Sequence, residues 1–230
     1  MTNPAAPPES HAHTAAPPAH HGVSETTRLE AFSDGVFAIA ITLLVLEIRP
    51  PTHAETHAIG LWAALASRWP SYLAYVVSFV TIGVMWANHH SIFQYIRRTD
   101  RAFVLLNVML LLFISFLPYP TAVLADYLPE PAYRRIGALF YSGTLVVIAL
   151  AYNAVWHYGV WRGRLLGHDA DTNAVRTITY RYLFGPLLYG VSFVLAVFDA
   201  WLALAMHGFL MLFFALSERR TVVRRRHRES

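Results

Sequence analysis

The sequence predicts an all-α integral membrane protein with about six transmembrane helices per subunit. Three observations lead there. The 230 residues are 56% hydrophobic and only 14% charged, with mean hydropathy +0.40, whereas a soluble domain carries about a quarter charged residues. Six long apolar segments follow one another, most near the ~20 residues that cross a hydrocarbon core. The arginines gather on alternate sides of those segments.

The segments are expected at about Phe32–Ile48, Ser71–Ile96, Ala102–Ala125, Ile136–Val160, Ile178–Phe198 and Ala200–Leu216. The first is short, and the last two share a tight turn at Asp199. There is no lysine, so every basic count is an arginine count. Even-numbered crossings return the chain to its starting side, which carries Arg28; Arg97, Arg98 and Arg101; Arg162, Arg164, Arg176 and Arg181; and six tail arginines from Arg219 to Arg228. The other side has only Arg49, Arg68, Arg134 and Arg135. The positive-inside rule then puts both termini in the cytoplasm of a multi-pass cell-membrane protein. The same bias explains a pI near 9.5 without a nucleic-acid partner.

Three regions are expected. Residues 1–27 form a Pro-, Ala- and His-rich arm without the apolar core of a signal peptide. It has too little apolar surface to fold, so it reads as disordered. Residues 28–217 form the membrane domain, and residues 218–230 a basic cytoplasmic tail. Between crossings, Arg162–Thr177 is the longest polar connection. The absence of cysteine excludes disulfides and thiol catalysis.

The first helix carries the most information. Arg28–Ile48 reads RLEAFSDGVFAIAITLLVLEI. At about 100° per residue, Arg28, Phe32, Gly35, Ile39, Thr42, Leu43 and Leu46 share one broad face, and Ser33 and Asp34 point away. An apolar stripe of this kind usually serves packing or lipid contact, and periodicity by itself does not decide for a pore. Asp34 either exploits the positive end of the helix dipole or joins a buried polar cluster, since a carboxylate near the membrane normally has a partner. The second helix offers partners at the same depth in WANHH: Trp86, Asn88, His89 and His90. Adjacent histidines diverge by about 100° and do not chelate together as a pair four apart does, so no metal site is expected.

The run RxxxFSD, here Arg28, Phe32, Ser33 and Asp34, resembles the signature of the transmembrane protein 175 family, endolysosomal potassium channels and their prokaryotic relatives. The continuation GVFAIAITLLVLEI and the WANHH run with Phe93 are also similar to the prokaryotic members. The resemblance implies a homotetramer of six-helix subunits whose first helices line a central pore. It implies an apolar constriction at Ile39, Leu43 and Leu46, with Thr42 as the nearby hydroxyl. It further implies that the polar signature residues, with Trp86, Asn88, His89 and His90, hold the pore helix in place and serve gating. Glu47, at the outer end of the same helix, either faces the pore mouth or is a solvated helix end near Arg49. The expected function is a cation channel, selective or weakly selective for potassium, that also passes other monovalent cations and needs no cofactor.

Two rivals remain. A proton-coupled transporter requires ionisable residues at mid-membrane, where Asn153, His157 and His207 are the exceptions to an uncharged interior. An intramembrane enzyme could pair Asp34 with His89 or His90 as acid and base, but no HExxH pair, nucleophile elbow or phosphate loop accompanies them.

Overall fold

The computed structural model describes residues 25–163, 165–167 and 172–226. The expected arm up to residue 24 and the last four tail residues lie outside that range. The described chain is helical: α1 (Glu25–Leu43), closed by a 3₁₀ turn Leu44–Glu47; α2 (His53–Ile59); α3 (Leu61–Ser67); α4 (Trp69–Tyr95); α5 (Arg101–Phe116); α6 (Pro118–Tyr127); α7 (Arg134–Val160); α8 (Thr172–Phe198); and α9 (Ala200–Arg226).

Among the described residues, five stretches are long and apolar enough to cross a membrane: Glu25–Glu47, Trp69–Tyr95, Arg101–Tyr127, Arg134–Val160 and Thr172–Phe198. A shorter apolar stretch, Ala200–Phe213, opens α9. The first span begins seven residues before the expected Phe32, at Glu25, because its polar first turn is docked: Thr26 Oγ1 donates to the Arg97 carbonyl at 3.2 Å. The third span is two helices. Pro118 and Pro120 lack an N–H and are tolerated only in a first turn, so α6 starts anew there. The polar connection after α7 is shorter than expected, because α8 already begins at Thr172. Its Leu165 carbonyl accepts from Arg97 N and its Gly167 N donates to the Tyr95 carbonyl, which pins it to the α4–α5 turn.

α7 lies at the centre, with Tyr141, Leu145, Ile148, Val155 and Trp156 buried. A buried hydroxyl set ties three helices together. Ser78 (α4) lies 2.8 Å from Thr121 (α6) and 3.0 Å from Tyr141 (α7). In hydrocarbon each of these groups must find a protein partner, since no water can replace one.

The elbow α2–α3 was not anticipated, because its two helices are too short to show a clear period. Local bonds build it instead. Thr52 and Glu55 form a capping box, Gly60 turns the chain at φ +80°, and Arg68 Nη2 reaches both Glu55 oxygens at 2.7 and 2.9 Å. The Thr52 N–H and hydroxyl, with Arg68, hold the exposed Glu55 carboxyl below its ordinary value. A lowered folded-state value means that the contribution is present above the usual carboxylate range and is lost as pH falls through the lowered value. The protection of α2 amides, taken relative to the intrinsic exchange rate at each pH, is therefore expected to fall as acidification carries Glu55 through its lowered value. In Glu55→Ala that protection is expected to be low already at neutral pH and to show no such acid-dependent fall.

Candidate functional site: the two faces of the first helix

α1 has two unlike faces. Ser33, Phe37, Ala40 and Leu44 recur at helical spacing and are 0–1% exposed. Opposite them stand Phe32 (58% exposed), Ile39 (60%) and Leu46 (71%), with Arg28, Gly35, Thr42 and Leu43 also exposed. The 3₁₀ turn matters for this second face. Side chains three apart eclipse in a 3₁₀ helix, so Leu46 continues in line with Leu43 instead of drifting round the axis.

The buried face is held by a directed chain of hydrogen bonds. Asn107 of α5 sits between α4 and α1, fully buried, with Oδ1 2.9 Å from His89 Nε2 and Nδ2 donating to Ser33 Oγ at 2.9 Å. Ser33 spends its own proton on the Leu29 carbonyl at 2.8 Å, so it can only accept from Asn107. Asn107 Oδ1 therefore faces the histidine, and His89 must donate from Nε2. The opposite amide orientation would leave Ser33 with two acceptors for one proton and require a buried, unmatched Nδ1–H on His89. In the arrangement found, the unmatched atom is the Nδ1 lone pair, the smaller loss. The His89 ring is enclosed by Phe37 and Phe93, with centroids 5.2 and 4.9 Å away.

Two further links join α1 to α4. Trp86 Nε1 donates to Asp34 Oδ1 at 2.9 Å, and His90 Nδ1 lies 2.9 Å from Glu30 Oε1. Trp86 and His90 stack on one another, one helical turn apart. All of these residues lie toward one end of the bundle, near the start of α1 and α5 and the end of α4.

The structure thus brings Ser33, Asp34, Trp86, His89 and His90 together. Asn88 enters through its main-chain carbonyl, which accepts from Tyr182 Oη at 2.9 Å. Arg28 and Phe32 stand on the exposed face, apart from this network. Glu47 is half-buried, while Arg49 approaches Asp126 at 3.8 Å. The mid-membrane polar residues have structural partners. His207 meets Ser142 at 2.8 Å, Asn153 donates to the Tyr182 carbonyl at 2.7 Å, and His157 contacts the Asn153 carbonyl of its own helix. Among the described residues no cluster of three or more His, Cys, Asp or Glu is arranged to hold a metal.

The family model of the endosomal/lysosomal potassium channel TMEM175 matches residues 28–118, which contain this whole arrangement from Arg28 to Asn107. A potassium channel of Chamaesiphon minutus is 49% identical over 193 residues, 84% of this chain and 95% of that protein. The chain belongs to the TMEM175 family. A potassium channel of Streptomyces collinus is 45% identical over 196 residues, 85% of this chain and 94% of its own length. The crystal structure of a lysosomal potassium-selective channel TMEM175 homologue from Chamaesiphon minutus superposes with a TM-score of 0.78 at 46% identity, covering 84% of this chain and 97% of that one.

Against that family background, sequence reasoning passed over Asn107 and Glu30. Asn107 had a signal: it is the one amide in the run VLLNVMLLLF, and a lone amide in a hydrocarbon span needs a partner. Glu30 lies one turn before Asp34 on the side that meets α4, but a carboxylate at a helix start passes as a favourable dipole contact. In this TMEM175 chain, Asn107→Leu strands the His89 donor in an apolar site. It is expected to cost about 1–3 kcal/mol and lower the melting temperature of the detergent-solubilised protein by roughly 3–10 °C. Asn107→Gln, which keeps both groups but lengthens the arm, is expected to recover part of that loss. No loss in Asn107→Leu would mean that the chain of bonds does not hold α1.

Proposed function

We propose that the protein is a potassium-conducting channel: a homotetramer in the cell membrane, with α1 lining the pore and no cofactor beyond the permeant ion. One observation carries the reading. A single helix exposes a continuous stripe of Phe32, Ile39, Leu43 and Leu46 while its opposite side is fixed by polar bonds. The potassium channels among its relatives, which match nearly along their whole lengths, support the ion assignment.

The chemistry of the stripe suits a constriction. Four Ile39 side chains round an axis cannot replace an ion's hydration shell, so they exclude water and close the path by dewetting. Leu43 and Leu46 extend the apolar section outward. Thr42 differs. Its hydroxyl proton is donated to the Ile39 carbonyl at 2.9 Å, which leaves the oxygen lone pairs free to face a cation or its water. Glu47, if it faces the outer mouth, concentrates cations there. In this reading α9 supplies the sixth crossing. The charge bias of the loops then keeps both ends, with arm 1–27 and tail 218–230, in the cytoplasm.

The mass of the detergent complex, with bound detergent subtracted, is expected to be four times that of the 25.9 kDa chain; a conducting monomer would contradict the assembly. In planar bilayers with unequal potassium and sodium, Ile39→Asn is expected to raise unitary current and bring the reversal potential nearer that of a non-selective pore. Ile41 is half-buried against the subunit core, so Ile41→Asn is expected to cost stability and leave conductance and ion ratios in place. If the two variants behave the other way round, the pore face is misassigned.

A further inference from the structure

α8 contains a proline well inside its length, Pro186, and what surrounds it goes beyond helix packing. Proline has no N–H, so the carbonyl four residues earlier, that of Tyr182, loses its intrahelical donor. In a membrane that carbonyl must be satisfied by another group. Asn153 of α7 does so: Nδ2 donates to the Tyr182 carbonyl at 2.7 Å and to the Ala149 carbonyl of its own helix at 3.0 Å. The residue whose carbonyl is released also makes the tie to α4. Tyr182 Oη donates to the Asn88 carbonyl at 2.9 Å, and its ring lies against Tyr152 and Trp156, with centroids 6.4 and 5.3 Å away. Tyr152 donates to the Met85 carbonyl. Two phenols thus grip the α4 segment that carries Trp86, His89 and His90, the residues that hold α1.

We propose that Pro186 makes the inner half of α8 a hinged lever, read by α1 through Tyr182 and α4, and that Asn153, Tyr182 and Pro186 are positioning residues for channel opening. This rests on the channel reading above. The hinge follows from the missing hydrogen bond, because the two halves of α8 are joined there by one bond fewer. The lever's grip is local: Trp156 Nε1 of α7 donates to Thr179 Oγ1 at 2.9 Å, one turn before Tyr182 on the same half of α8. A shift of this half changes where Tyr182 holds Asn88, and Asn88 lies between the two α4 residues bonded to Asp34 and Glu30.

The test is a cycle on the full-length protein, read by thermal melting and by single-channel recording. Asn153→Ala is expected to lower the melting temperature by roughly 3–6 °C. It is also expected to change open probability by about fivefold, within the range of measured coupling energies, with unit conductance unchanged. Pro186→Ala returns an N–H to the Tyr182 carbonyl, so in that background Asn153→Ala is expected to lose most of its effect on both readouts. Tyr182→Phe keeps the ring stack and removes the hydroxyl bond to Asn88. It is expected to shift open probability by a similar factor with little change in melting, and it stays readable where Asn153→Ala does not assemble. Equal effects of Asn153→Ala in both backgrounds would overturn the link through the carbonyl. Unchanged open probability in Tyr182→Phe and Asn153→Ala, with melting lowered in the latter, would make α8 a purely structural element and overturn the proposal. Wild-type protein without cation current would overturn the channel reading and the gating role with it, and the melting cycle would still report the capped carbonyl.

Discussion

A carboxamide buried in hydrocarbon has to be satisfied at both ends by protein, and Asn107 is satisfied by two different helices. That constraint fixes much else. The Ser33 proton is already committed to the Leu29 carbonyl, so the direction of every bond from His89 to α1 is determined. The rotation of α1 about its own axis follows, because Ser33 can meet Asn107 only if Phe37, Ala40 and Leu44 turn inward with it. Once that face is inward, Ile39, Leu43 and Leu46 are outward by helical geometry. The apolar stripe is thus set by polar groups that do not belong to it.

The division of labour along α1 has a physical logic. Its N-terminal half is held by directional bonds, through Ser33, Asp34 and Glu30, to α4 and α5. Its C-terminal half has no such polar cross-links among the described bonds and is held by apolar contact, with Leu44 fully buried. The helix tightens there into a 3₁₀ turn, which aligns Leu46 behind Leu43. Behind α4, phenols from α7 and α8 brace the same segment from the far side. If α1 lines the pore as proposed, a first helix clamped at one end through α4 and α5 is linked to α8 by way of α4.

Much of this was legible in the sequence. The membrane class followed from apolar length and arginine bias, and the two faces of α1 from the spacing of Ser33, Asp34, Ile39 and Leu46. Trp86 was named as a candidate partner of Asp34, and the two meet at 2.9 Å. What stayed hidden depends on tertiary geometry. His89 was offered to Asp34 but turns instead to Asn107, because on α4 it points about 100° away from His90 and so toward α5. The elbow α2–α3 depends on a capping box and one ion pair in helices too short to show a period. The α5–α6 break was written in Pro118 and Pro120, yet unbroken hydropathy across it masked the change of helix. The tie from Asn153 to Tyr182 could not be read without knowing that α7 and α8 pack together at that depth.

The most direct test of the account uses the absence of cysteine from the chain. Single cysteines introduced along α1 need no background to be removed, and a water-soluble, charged thiol reagent reaches only those facing an aqueous path. The account predicts that the reagent blocks potassium current through channels with cysteine at Ile39, Leu43 or Leu46. Channels with cysteine at Ala38 or Val45, exposed positions about 100–120° round the helix from Ile39, are predicted to keep their current. Block at Ala38 and Val45 with the three stripe positions untouched would place the pore on another face and contradict the claim that the Asn107 bonds set the lining of the channel.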